Sequence, residues 1–254
     1  MRHTWWLLLS LSGLSVCRAF LPREVLHGSN DAGGNFLQTF GGIYGVIMAF
    51  TIFVVWQQHN DTQVAVEREA VALGELFAVL CWFSDWPHRE EVLGRLREYA
   101  RLVPSLNGRL PTRSEEDEKP HLDATLDAFL ALRPSATDER LWSPALDLFK
   151  VLNDAREHRI TVSRLRLPEG LKWFVFIGGA VAVCTLWLLW VESAVVHALL
   201  TAGMTWVIVA ASSLILDLDD PYHGDFVIDW GRFNATAARM ESSARPMAAS
   251  SVAP

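Results

Sequence analysis

The sequence predicts an all-α, helical integral membrane protein, and three long apolar runs are the reason. Residues 173–191 and 195–216 contain no Lys, Arg or Asp and are separated by three residues, and residues 36–56 form a third uncharged run. A helix needs about 20 apolar residues to cross the bilayer core, and a charge at its centre costs about 2.5–3.5 kcal/mol. We therefore predict three transmembrane helices. For the last two runs, the alternative is a core hairpin of a large soluble protein.

The composition agrees with a membrane protein that has a substantial polar region. Of its 254 residues, 51% are hydrophobic and 20% are charged, and the net charge is −7. This negative charge argues against nucleic acid as a partner, because phosphate binding needs clustered Lys and Arg. The three cysteines, Cys17, Cys81 and Cys184, predict neither a disulfide framework nor a metal site.

The first 20 residues allow two interpretations. Arg2 precedes an apolar run at 5–16, and the small residue Ala19 follows it. This pattern fits a cleaved signal peptide. It fits equally well a short first transmembrane helix, which would make the helix at 36–56 the second of four. Residues 21–35 are expected to form a loop, because they are rich in Gly and Asn.

Small residues recur at a spacing of four within the run at 36–56. They are Gly41, Gly45 and Ala49. Residues four apart share one helix face, so these three form a smooth stripe. Such a stripe lets helix backbones approach closely in lipid, and helix packing is therefore the favoured interpretation. A pore-lining stripe is the alternative.

Residues 57–170 are predicted to form a helical region outside the bilayer, between the second and third of the four helices. Apolar positions keep helical spacing beyond Trp56, so we expect the membrane helix to continue to about residue 84. On this extension Asn60, Glu67 and Glu69 are expected to lie on a solvated face. Further helices are predicted at 88–103, 121–132 and 138–166, with a cap at Ser135 or Thr137 and a basic end formed by Arg156, Arg159, Arg164 and Arg166. Residues 104–120 are predicted to form a charged linker, in which the start of a helix and disorder are the two alternatives for residues 114–118.

An acidic segment follows the hairpin at 171–217. Its carboxylates belong to Asp217, Asp219, Asp220 and Asp225. Calcium takes six to eight oxygen ligands, so these residues form a candidate calcium site. The alternative is a helix stop, at which the carboxylates meet water and Pro221 ends the helix. Residues 218–254 otherwise form a tail that is expected to be disordered after about Ala237.

The basic residues predict the orientation. The hairpin turn contains no Lys or Arg, whereas Arg166 and Lys172 precede the hairpin and Arg232 and Arg239 follow it. Because Lys and Arg collect on the cytoplasmic side, residues 57–170 and the C-terminal tail are predicted to be cytoplasmic. The chain is expected to lie in the cell membrane as a multi-pass protein in contact with lipid. One ionisable residue, His197, sits near the turn and is expected to be wetted at the interface.

Three passages occur together in this chain. The helix at 44–60 ends in Trp-Gln-Gln-His-Asn, with Glu67 and Glu69 after it. Residues 153–156 read Asn-Asp-Ala-Arg, with Arg159 next and then a Leu-Pro pair before a membrane helix. Residues 216–225 leave the last membrane helix as Leu-Asp-Leu-Asp-Asp-Pro-Tyr-His-Gly-Asp. As a set, these passages resemble the bacterial bestrophin-like family of uncharacterised membrane proteins.

This resemblance implies a distant relation to bestrophins, which are pentameric anion channels gated by calcium. In those channels a Pro-aromatic-Gly-acidic passage after the last membrane helix helps to bind calcium. Pro221, Tyr222, Gly224 and Asp225 are similar, with His223 as an extra residue. The pore of those channels is lined by large apolar side chains at every fourth position, whereas the matching face here carries the small stripe.

Two function classes follow. The first is an oligomeric ion channel, which predicts a homo-oligomer with 36–56 facing a central axis. The second is a non-conducting scaffold or sensor whose cytoplasmic helices bind a partner, which predicts the small stripe buried against 173–216. The sequence has no Gly-rich phosphate loop, nucleophile elbow or His/Glu metal pattern, so an enzyme is not expected. Calcium is the one candidate cofactor.

Overall fold

The computed structural model describes residues 4–83, 89–105, 111–130 and 139–243. Within these ranges every regular element is a helix: α1 (Thr4–Phe20), α2 (Arg23–Gly28), α3 (Asn30–Cys81), α4 (Arg89–Ser105), α5 (Pro111–Leu130), α6 (Glu139–Ser163), α7 (Glu169–Leu188), α8 (Ala194–Asp219) and α9 (Gly231–Ser242). Of these, α3, α7 and α8 are long and apolar enough to cross a membrane. The predicted all-α membrane fold is confirmed.

The chain divides into two compact units. The membrane unit consists of Met1–Gln57 and Arg166–Asp220, and the second unit of Gln58–Leu165 and Pro221–Pro254. Helix α3 contributes to both. Its 52 residues span about 78 Å, more than twice the roughly 30 Å of a bilayer core. The expected continuation of this helix beyond the bilayer is therefore confirmed as far as Cys81, and residues 84–88 lie outside the described ranges.

Glycines on α7 allow close packing in the membrane unit. A Cβ on Gly178 would lie 2.6 Å from the Tyr44 ring of α3, and one on Gly179 would lie 2.5 Å from the Ile208 side chain of α8. The Tyr44 hydroxyl also donates to the Val175 carbonyl at 2.8 Å. Because lipid tails are as apolar as the side chains, such close contacts and hydrogen bonds hold membrane helices together.

The second unit is built around an apolar core. The C-terminal half of α3 supplies Leu73 and Leu76, and α4, α6 and α9 supply Leu96, Leu152 and Phe233. All five side chains are fully buried. The removal of this apolar surface from water is the main favourable contribution to folding of the unit.

The predicted loop at 21–35 is wrong. Helix α2 begins directly after Pro22, whose φ of −58° suits a helix start, and α3 begins at Asn30. The Asn30 side chain donates to the Trp190 carbonyl at 2.8 Å and accepts from the Trp190 amide at 2.6 Å. This contact with the α7–α8 turn fixes the start of α3, so tertiary structure overrides the weak helix propensity of Gly33 and Gly34.

The predicted linker at 104–120 is shorter in the structure, and of the two alternatives for residues 114–118 the helix is the one observed. Helix α4 continues through Pro104 to Ser105, and α5 begins at Pro111. A proline fits the first turn of a helix because its missing N–H would have no helical partner there. Residues 106–110 and the predicted cap at Ser135 or Thr137 lie outside the described ranges.

The expectation of disorder after Ala237 is also wrong up to Ser242. These residues end α9, which buries Phe233, Thr236 and Met240 on one face. The Arg97 side chain donates to the Met240 carbonyl at 3.3 Å, which ties α4 to α9. Composition rich in Ser and Ala suggested disorder, but the spacing of the buried residues is helical.

Candidate functional site

The small stripe lies on an open face of α3. Gly45 and Ala49 are exposed and Gly41 is half-buried. A Cβ placed on Gly41 or Gly45 would meet no described atom within 4 Å. The neighbouring face of the helix, with Tyr44, Met48 and Val55, is the one that packs in the apolar cluster of the membrane unit. The stripe is therefore not buried against residues 173–216, as the scaffold hypothesis requires.

Large apolar side chains accompany the stripe on the open face. Val46, Phe50, Phe53 and Trp56 are 71%, 62%, 55% and 56% exposed. In a membrane span such side chains contact either lipid or another protein surface. The open face is thus a mixture of small and bulky residues along one side of α3.

Asp219, from the predicted calcium cluster, is buried and already has two partners. Its Oδ1 accepts from the Leu167 amide at 2.6 Å, and its Oδ2 lies 3.0 Å from the Lys172 ammonium. Lys172 also pairs with Glu169 at 3.0 Å. The carboxylate joins the end of α8 to the segment that leads into α7.

The other predicted ligands lie in different surroundings. Asp220 pairs with Arg166 at 3.6 Å, Asp217 is half-buried, and Asp225 is exposed. Among the residues that the structure describes, no group of three or more His, Cys, Asp or Glu side chains is placed to hold a metal ion. Gly224 has a φ of 109°, a backbone conformation that favours glycine. Calcium binding at these residues stays a prediction.

Sequence analysis missed a second buried carboxylate, in the second unit. Glu69 was expected on a solvated face, but it is fully buried. Its Oε1 accepts from the Tyr99 hydroxyl and its Oε2 from Nε of Arg159, both at 2.5 Å. Tyr99 and Arg159 are buried as well, and charge-assisted hydrogen bonds of this kind are stronger than neutral ones. The group links α3, α4 and α6.

The sequence contains a signal for this group. Glu69 lies four residues from Ala65 and from Leu73, both fully buried, so it shares the apolar face of α3. Arg156 and Arg159 likewise follow buried Leu152 on α6. Of the four arginines of the predicted basic end, these two are buried. A charge at an apolar position of a helix indicates a buried partner of opposite charge.

A polar cluster ties α1 to the α7–α8 turn. His197 is buried rather than wetted. Its Nδ1 lies 3.1 Å from Arg18, and its Nε2 lies 2.8 Å from the Leu186 carbonyl. Because a guanidinium only donates and a carbonyl only accepts, Nδ1 accepts and Nε2–H donates. Arg18 also donates to the Val191 carbonyl at 3.3 Å and lies over the Trp190 ring at 4.8 Å.

Hydroxyl groups continue the contact between α1 and α8. Ser10 and Thr205 are 2.7 Å apart, and Thr205 donates to the Thr201 carbonyl at 2.7 Å. Since the single Thr205 proton is used in that bond, Ser10 donates to Thr205. Helix α1 is thus held by hydrogen bonds near its middle and at its C-terminal end.

The two buried carboxylates connect the three passages singled out in the sequence. Glu69 of the first passage pairs with Arg159 of the second. Asp219 of the third accepts from Leu167, which belongs to the Leu-Pro pair of the second. The passages therefore contain residues that hold each unit together.

The fold is similar to that of solved bacterial bestrophin homologues from Klebsiella pneumoniae. A single-residue variant of that protein matches with a TM-score of 0.71 at 10% identity, over 95% of this chain and 97% of its own. Another variant matches with a TM-score of 0.69 at 12% identity, over 99% and 100% of the two chains. A further structure of the homologue gives 0.68 at 12% identity, over 94% and 95%. At such low identity the likeness concerns the fold.

The sequence itself gives the family. No curated protein matches the chain. A family model, the Bestrophin-like domain, matches residues 4–231. That match begins at the first residue of α1 and includes all three passages. Since it covers most of the 254 residues, this multi-pass membrane protein belongs to the bestrophin-like family.

Proposed function

We propose that this chain assembles with copies of itself into an anion channel in which α3 faces the central axis. Membership of the bestrophin-like family supports the proposal, because the bestrophins to which it is related are pentameric anion channels. Family membership also favours a channel over an enzyme.

The observation that carries the proposal is the open face of α3. Gly45 and Ala49 are exposed, and a side chain added at Gly45 would meet no described atom. Within one chain this face has no neighbour among the described residues. We propose that it faces the central axis of the assembled copies, where small side chains leave room for a path. The bulky side chains of Phe50 and Phe53 would then lie near the same axis.

The topology is part of the proposal. We place the second unit and the C-terminal segment in the cytoplasm, because the turn between α7 and α8 lacks Lys and Arg. A protease added to intact cells is expected to leave residues 57–170 uncut, and cleavage there would contradict this orientation.

We also propose that α1 is retained as a first membrane helix. The hydrogen bonds of Arg18 and Ser10 to α8 support retention, since cleavage of a signal peptide would remove both. The mass of the purified protein distinguishes the two cases: retention predicts a chain that includes α1, and a mass that lacks residues 1–20 would contradict it.

Chloride flux from liposomes tests the channel proposal. The background replaces Cys17, Cys81 and Cys184 with Ser, and Ala49→Cys is then added. We expect a negatively charged thiol reagent to lower the flux several-fold, because Ala49 would line the path.

The matched control is Leu199→Cys, at a site on α8 that is 68% exposed. The reagent should leave its flux unchanged, because that residue would face lipid. A flat trace from the parent protein with and without calcium would contradict the channel and favour the scaffold. Equal inhibition at both positions would contradict the proposed place of α3.

A further inference from the structure

The membrane unit contains an apolar groove of about 480 Å³ between α1, α7 and α8. Trp6 and Leu9 of α1 form one wall, and Phe176 of α7 and Leu216 of α8 form another. This volume lies within the roughly 300–1,000 Å³ of typical small-molecule sites. The groove is distinct from the open face of α3, because α3 contributes no residue to its lining.

Small side chains on two helices create the groove. Gly179 and Ala180 of α7, together with Ser212 and Ser213 of α8, line it opposite α1. Helix α1 is prevented from closing the gap by contacts near its middle. A Cβ on Gly13 would already overlap the Trp187 ring, and Ser10 is hydrogen-bonded to Thr205 at 2.7 Å.

We infer that an acyl chain of a bilayer phospholipid occupies this groove as an ordered ligand. The groove opens onto the lipid-facing surface, since Trp6, Leu9 and Phe176 are 56%, 59% and 43% exposed. Two of its walls, α7 and α8, are long and apolar enough to cross a membrane, and the third, α1, is a shorter apolar helix. We therefore take its surroundings to be hydrocarbon rather than water. An unfilled groove would cost its lining residues their dispersion contacts. A methylene chain restores those contacts.

The size of the groove favours lipid over a second copy of this chain. A helix is about 10 Å wide, so a volume of about 480 Å³ admits roughly one turn of it. A single helical turn buries far less than the roughly 800 Å² per partner of a stable interface. An acyl chain is much narrower and can lie along the groove. The inference depends on retention of α1 but not on ion conduction.

Native mass spectrometry of the protein in detergent tests the inference. We expect the wild type to retain one phospholipid per chain after washing that removes other lipid, because the groove shields that chain from detergent. Ala180→Phe should lower this occupancy at least several-fold. Ala180 is exposed at the groove, so a phenyl ring can fill the space from the lipid side.

The matched control is Ile177→Phe, one turn away on the same helix. Ile177 is 57% exposed and does not line the groove, so the bound phospholipid should be retained. Ser213→Leu fills the groove from α8, and it replaces Ala180→Phe in the experiment if that variant fails to fold.

Two results would overturn the inference. One is a folded wild type that carries no phospholipid under these conditions. The other is equal retention in the filled and control variants. If the filled variants also lose their oligomeric state while the wild type never carries lipid, a second copy occupies the groove instead. Failure of the channel proposal alone would leave the lipid count unchanged, because that count does not depend on flux.

Discussion

Each of the two units contains a buried carboxylate, and the two carboxylates differ in how far their cationic partners are exposed to water. Glu69 in the second unit is fully buried, and its cationic partner Arg159 is only 2% exposed. Asp219 in the membrane unit is 7% exposed, and its partner Lys172 has a side chain that is 19% exposed and a second carboxylate within reach. The ion pair of Glu69 is closed off from water, whereas that of Asp219 is partly exposed to water.

The partner of a buried carboxylate therefore determines how much stability is lost when the carboxylate is removed. Removal of Glu69 takes away the carboxylate that pairs with a buried guanidinium, and loss of one partner of a buried ion pair is very unfavourable. Removal of Asp219 leaves an ammonium that still pairs with Glu169 and reaches water. We therefore expect substitutions in the second unit to have the larger effects.

Glu69→Ala should have the largest effect. Loss of one partner of a buried ion pair costs about 3–5 kcal/mol, which lowers the melting temperature by roughly 10 °C in a chain of this size. Thermal unfolding of the purified protein, followed by circular dichroism, measures this. The matched control is Glu67→Ala, at an exposed position two residues away, where a change within about 0.5 kcal/mol is expected. Equal melting temperatures for the two variants would contradict the burial argument.

A double substitution tests whether Glu69 and Arg159 are energetically coupled. Glu69→Leu with Arg159→Leu removes both charges and should recover a large part of the lost stability, because buried ion pairs can often be replaced by apolar residues. The double variant should therefore melt at a higher temperature than either single variant. If the losses of the two single variants simply add, the two side chains are not coupled.

Tyr99→Phe should have an intermediate effect. The Tyr99 hydroxyl donates to Glu69 in the core, and a hydrogen bond to a charged group contributes about 1.5–3 kcal/mol. The substitution keeps the aromatic ring and leaves the ion pair between Glu69 and Arg159 in place, so the loss should be smaller than that of the whole pair. The free energy of unfolding of the variant, measured beside that of Glu69→Ala, should fall by the smaller amount. A loss as large as that of Glu69→Ala would mean that the hydroxyl, not the guanidinium, compensates the carboxylate.

The sequence predicts the spans well because a bilayer imposes a strict requirement. Uncharged apolar runs of about 20 residues seldom occur in soluble domains, and α3, α7 and α8 lie where those runs do. Outside the bilayer the prediction depends on local breakers, and tertiary contacts overrule them. Asn30 holds the start of α3 through the Trp190 backbone, although its neighbourhood is rich in glycine.

The candidate sites were predicted less well than the spans. Asp217, Asp219, Asp220 and Asp225 are close in sequence, and sequence proximity suggested a shared role. The four side chains differ in burial, because only Asp219 lies on the packed side of the end of α8. Glu69 was missed for the opposite reason, since its partners are 30 and 90 residues away. Pairing across such separations is set by helix packing, which local spacing does not specify.

Asp219→Asn should have a smaller effect than Glu69→Ala or Tyr99→Phe. The amide oxygen of Asn can still accept from the Leu167 N–H, so only the ion pair with Lys172 is lost, at about 1 kcal/mol. Asp219→Ala should cost more, about 1–3 kcal/mol, because the buried Leu167 amide then loses its acceptor. Melting temperatures of the two variants measure the difference. Equal values would show that the amide contact contributes nothing.

Asp217→Asn should have the smallest effect on stability, within about 0.5 kcal/mol. The same variant distinguishes the two interpretations of the acidic segment, a calcium site and a helix stop. Asp217 is half-buried and has no ion pair with a described residue, so its carboxylate is available to a cation.

If calcium binds at this exit, calorimetry should show weaker binding in Asp217→Asn. Binding should be several-fold tighter in Lys172→Gln, because the ammonium that competes for Asp219 is gone. No heat from the wild type or from Lys172→Gln at saturating calcium would leave the acidic exit as a helix stop, with Asp219 serving packing alone.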